Sequence, residues 1–70
     1  MIQNIDNKGH NFIRMKSFSF INGEFVVTGV LPYVYCSACF IQARIEGDEH
    51  NTSDPKAVLT CGEIIAKEIL

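Results

Sequence analysis

Asn22-Gly23, set between apolar runs, is the feature that most restricts what this chain can fold into. Both central positions of a type I′ turn need positive φ, which asparagine and glycine tolerate, so a two-residue hairpin is predicted. Its register follows. With Ile21 opposite Glu24, Phe20 faces Phe25 and Phe18 faces Val27, because side chains alternate along a strand. These four share one side and are expected to form a core face. Ser17, Ser19, Ile21, Glu24, Val26 and Thr28 fall on the other side, a mixed surface that tolerates water.

Gly29 and Pro32 predict a connection after the hairpin, since proline cannot donate to a central ladder. A third strand is read within residues 33–46, where Cys39, Ile41, Ala43 and Ile45 alternate with Phe40, Gln42, Arg44 and Glu46. Residues 47–52 read as a polar loop. Ser53 or Asp54 can cap a helix whose first position is Pro55, where the missing N–H costs nothing, and which runs to the C-terminus. Residues 1–11, MIQNIDNKGHN, read as a polar arm or a short added strand. The expected fold is α+β: residues 12–70 form a single β-β-β-α domain, a three-stranded antiparallel sheet packed against one C-terminal helix.

On a continuous helix over residues 55–70, Lys56, Thr60, Glu63 and Lys67 form one narrow polar stripe. Apolar positions fill roughly 240° of the remainder, beyond the ~100° that suffices for docking on a sheet. An arc of that width predicts a protein interface. It would centre on Leu59, Gly62, Ala66, Ile69 and Leu70, or on the opposite flank at Ala57 and Ile64, according to which flank the sheet covers. Gly62 fits this reading, because a helix-interior glycine costs ~1 kcal/mol against alanine and admits a closely approaching backbone.

A domain of seventy residues buries only about 60% of the surface its unfolded chain exposes, so a disulfide, a metal or oligomerisation is a reasonable supplement to the core. No stretch has the pattern of a secretion signal, and no apolar run approaches the ~20 residues of a membrane span. A cytoplasmic setting is therefore expected, with Cys36, Cys39 and Cys61 as free thiols. Cys36-Ser37-Ala38-Cys39 is a C-x-x-C, and together with His50 and Cys61 it could supply a tetrahedral Cys3His site. Against this, no glycine-containing knuckle turns the pair toward a metal, and Cys61 reads as a small buried hydrophobe. No metal or cofactor is expected.

His10 and His50 both lie in polar, loop-like stretches with nothing to orient them as bases, so no catalytic residue is assigned. Six basic residues scattered among eight acidic ones give a net charge of −2. Nucleic acid is disfavoured as a partner, because its binders concentrate Lys and Arg on one face. The resulting expectation is a small non-enzymatic interaction protein, working as a homodimer or by docking its C-terminal helix on a larger protein. By analogy with compact phage and prophage accessory proteins, it could be an inhibitor of a host defence system, such as an anti-CRISPR protein. The alternatives are a small zinc-binding module associated with nucleic acid and, behind it, an enzyme using Cys36 or Cys39 as nucleophile.

Overall fold

The computed structural model describes residues 1–69. Five strands form one antiparallel sheet: β1 (Gln3–Asn4), β2 (Phe12–Ile21), β3 (Glu24–Cys36), β4 (Gln42–Glu46) and β5 (Glu49–Thr52). Their spatial order is β1-β5-β4-β3-β2, so β2 to β5 form a meander and β1 adds to its free edge. A 3-10 turn (Pro55–Val58) and a single helix, α1 (Cys61–Ile69), follow. The α+β class, the antiparallel sheet and the lone C-terminal helix match expectation. The strand count does not, being five rather than three.

The first hairpin adopts the register read from the sequence, with Ile21 opposite Glu24, Phe20 opposite Phe25 and Phe18 opposite Val27. Asn22 and Gly23 take φ of 51° and 82°, as a type I′ turn requires. The connection expected at Gly29 and Pro32 does not form, and β3 runs through both. It can do so because the ladder slips there: Lys16 pairs with Val30 and Arg14 with Val34, leaving residues 31–33 opposite Met15 alone. Pro32 sits in this irregularity, where a missing N–H breaks no regular ladder. The Arg14 Nε–H donates to the Leu31 carbonyl at 2.6 Å in the same place.

The polar stretch read as a loop contains β5. Gly47, with φ 62°, turns β4 into β5 across a two-residue loop, and Glu46 pairs with Glu49. Glu49-His50-Asn51-Thr52 carries no apolar alternation, so its strand character comes from main-chain pairing to β4 on one side and β1 on the other. The first eleven residues are tied to this edge, since the Ile5 N–H donates to the His50 carbonyl at 2.9 Å and Ile5 is fully buried.

The C-terminal segment is not one continuous helix. Asp54 caps the 3-10 turn by accepting from the Lys56 N–H, Leu59 is extended, and α1 starts afresh after Thr60. Thr60-Cys61-Gly62-Glu63 is a capping box, in which the Glu63 N–H donates to Thr60 Oγ1 at 3.2 Å and the Thr60 N–H donates to Glu63 Oε1 at 3.3 Å. The break removes the premise of the 240° apolar arc, which assumed a uniform ~100° step from residue 55 onward.

The core joins Ile5, Val34, Cys36, Cys39, Ile41, Ala43, Ala57, Cys61 and Ile64. It lies at the β3–β4–β5 end of the sheet and leaves the hairpin bare. Phe18, Phe20, Phe25 and Val27, expected to be a core face, are 58%, 66%, 77% and 51% exposed. The physical reason is reach: β4 pairs with β3 only at Tyr33, Val34 and Tyr35, and the nine residues of α1 rise about 14 Å in all. Residues 16–31 therefore project as a two-stranded ribbon. The radius of gyration is 14.2 Å, against about 11 Å for a compact chain of this length. Each phenylalanine left in water forgoes about 2 kcal/mol of burial.

Candidate metal centre

Three separate segments bring four soft donor atoms together. The first ends in the turn before β2, where Gly9 takes φ 77° and the Cys61 N–H donates to the Lys8 carbonyl at 2.8 Å. That hydrogen bond joins the turn to the first residue of α1, so His10 and Cys61 meet. The second is the turn between β3 and β4. Phe40 N–H donates to the Cys36 carbonyl at 2.9 Å, and Phe40 itself takes the left-handed φ of 63° that a knuckle glycine usually supplies. Cys36 and Cys39 are therefore not on alternate faces of a strand; the turn directs both into the core, 0% and 3% exposed. Asn11 holds the two turns together, its carbonyl accepting from the Ser37 N–H at 3.0 Å and its Nδ2 donating to Ser37 Oγ at 2.7 Å.

The result is a cluster of His10, Cys36, Cys39 and Cys61 whose donor atoms all lie within 4.8 Å of one another. Cys36 Sγ is 3.6 Å from Cys61 Sγ, and Cys39 Sγ is 3.3 Å from His10 Nδ1. Zn–S bonds near 2.3 Å and Zn–N bonds near 2.05 Å give tetrahedron edges of about 3.8 Å between two sulfurs and about 3.6 Å between sulfur and nitrogen. These two separations are close to such edges, and the wider ones, up to 4.8 Å, contract when an ion is held by all four donors. The donor set is also right for zinc, which takes thiolate and imidazole together. His10 Nε2 is buried with no hydrogen-bond partner among the described residues. Such an orphaned nitrogen is costly, and ligation through Nε2 would satisfy it.

The thiols differ in their electrostatics. Burial works to raise Cys36, but the backbone N–H groups of Cys39, Ala38 and Asn11 and the His10 ring favour its thiolate and hold it at about 6. Burial pushes Cys61 up to about 12, helped by the neighbouring Cys36 and Cys39 sulfurs. One site thus contains a ready thiolate and a thiol that only a cation can deprotonate near neutrality.

His50, the histidine proposed from sequence for a Cys3His site, is not in the cluster. It pairs with Ile45 across the sheet, hydrogen-bonds through Nδ1 to Asp6 Oδ1, and stacks on Phe12 with ring centroids 4.6 Å apart. His10 lies against the same Phe12 ring at 5.6 Å. Nothing in the spacing distinguishes the two histidines; the strand pairing of β5 with β1 decides between them.

Of the interface candidates, Ala57 and Ile64 are buried at 0% and 2%, so the sheet covers that flank. Leu59 is half-buried against the core. Gly62 and Ala66 are exposed, no atom lies within 4 Å of where a Gly62 Cβ would stand, and Ile69 is 78% exposed. Leu70 lies outside the described residues. No helix among the described residues is long and apolar enough to cross a membrane. No family model, curated protein or solved structure matches the chain.

Proposed function

We propose that the chain is a small non-enzymatic interaction protein whose fold is closed by a structural zinc ion on His10, Cys36, Cys39 and Cys61. The observation that supports this is the convergence of four donor atoms, from three segments, within 4.8 Å. Four protein donors fill a tetrahedral coordination sphere and leave no position for water or substrate, the arrangement of a structural rather than a catalytic site. When bound, the ion would cross-link the N-terminal turn, the β3–β4 turn and α1. A core with three cysteines among its nine residues gains the cohesion that its small side chains do not supply. Such a site needs reduced thiols, in keeping with a cytoplasmic location. The protein then acts by binding, either to itself or to a larger protein.

Native mass spectrometry of the full chain, with and without a chelator, tests the metal. One zinc per chain, lost together with the folded circular-dichroism spectrum on chelation, is the expected result. Tetrahedral thiolate absorption on cobalt substitution gives an independent readout. A chain that stays folded and metal-free after expression and purification in zinc would remove the metal from this reading.

A further inference from the structure

We propose that the metal centre is also a peroxide-responsive switch, in which oxidation joins Cys36 Sγ to Cys61 Sγ as a disulfide and discharges the zinc ion. This deepens the metal reading above and rests on it. All three cysteines are free. The Sγ atoms of Cys36 and Cys61 are 3.6 Å apart, in van der Waals contact, so small side-chain rotations bring them within bonding reach. Ligation keeps them close, since two sulfurs on one zinc ion are about 3.8 Å apart. Cys39 Sγ is engaged elsewhere, at 3.3 Å from His10 Nδ1.

Access singles out Cys61 as the sulfur attacked first. It is 6% exposed, against 0% for Cys36 and 3% for Cys39. It lies between the exposed Thr60 and Gly62, and the space above Gly62 is open. Such a narrow approach suits hydrogen peroxide, little larger than water, and not a bulky disulfide. An approachable sulfur beside a second, resolving one is the arrangement of a redox-sensing pair.

The Cys61 thiolate attacks one peroxide oxygen; the O–O bond breaks, hydroxide leaves and is protonated to water, and the sulfur becomes a sulfenic acid. The Cys36 thiolate then attacks that sulfur, the S–S bond forms, the S–O bond breaks, and a second hydroxide leaves and is protonated. Two electrons pass from the sulfurs to the peroxide. His10 and Cys39 remain, half of the four donors of a structural site, so the ion departs. The disulfide joins the last residue of β3 to the first of α1, a covalent replacement for the link between sheet and helix. Oxidation and chelation both remove zinc, but only chelation frees α1 from β3.

The test adds hydrogen peroxide to the zinc-loaded full-length chain and follows the freed ion with a chromophoric indicator, folding by circular dichroism and the thiols by alkylation and peptide mapping. Expected are one zinc released per chain, a Cys36–Cys61 bridge, a mass two hydrogens below the reduced metal-free chain, and a folded spectrum that chelation under reducing conditions abolishes. Reductant with zinc should restore the starting state. Every readout uses the unaltered chain, so no variant has to fold. Zinc retained through the treatment, a Cys36–Cys39 or intermolecular bridge, sulfinic acid at any ligand, or unfolding on oxidation overturns the switch and leaves the structural zinc standing. A chain that holds no zinc before peroxide is added overturns the metal reading, and the switch with it.

Discussion

The Sγ of Cys61, in the first residue of α1, lies 3.6 Å from the Sγ of Cys36, in the last residue of β3. The contact joins the helix to the sheet at the point where the N-terminal turn also arrives with His10, so one small volume carries the connection between three parts of the fold.

Replacing any one of the four donors should therefore release both metal and structure. Cys61→Ser and His10→Ala are expected to lower zinc affinity by several orders of magnitude, given apparent binding free energies of about 10–16 kcal/mol at structural sites. His50→Ala should leave the stoichiometry at one ion per chain, because His50 is engaged with Asp6 and Phe12. Competition titration against a chromophoric chelator reads all three.

The pH dependence of the metal-free chain follows from the two unequal thiols. Cys36 is depressed from an ordinary 9.0 to about 6, so its contribution is present above 9 and is lost as pH falls through 6. Cys61 is raised from 9.0 to about 12, so its contribution is complete below 9 and is lost as pH rises toward 12. Stability of the metal-free chain should then climb between pH 6 and 9 and decline above it, visible as a urea midpoint that is highest near pH 9. Asp6 adds an acid limb: its hydrogen bond with His50 holds it below the usual 3.8, and that contribution fades as pH drops through its lowered value.

Thr60→Ala should destabilise the fold by about 1 kcal/mol, since it leaves the Glu63 N–H without its acceptor and removes one of the two hydrogen bonds that Thr60 gives the Glu63 carboxylate. A fall in thermal midpoint at constant zinc occupancy would report the cap alone. Unchanged stability would mean that the metal, rather than the capping box, holds the start of α1.

Much of the local structure was legible in the residues. Asn22-Gly23 specified the hairpin and its register through its tolerance of positive φ, and Cys39, Ile41 and Ala43, which alternate in sequence, are all buried, although the strand expected within residues 33–46 is divided between the end of β3 and β4. The capping box at Thr60-Cys61-Gly62-Glu63 was also there to be read, and it explains why α1 begins so late. Glu49-His50-Asn51-Thr52 gave no such signal, because a strand paired on both sides by its main chain needs no apolar pattern.

By itself, then, the sequence determined the hairpin, the antiparallel α+β class and a helix at the C-terminus, since turn chemistry and side-chain periodicity act over a few residues. Only the tertiary structure decided that His10 and not His50 joins Cys36, Cys39 and Cys61, and that the phenylalanine face lies in water instead of under the helix. Both outcomes depend on where segments distant along the chain come to rest. A short α1 docked over the β3–β4 turn gathers the ligands there and cannot reach the ribbon.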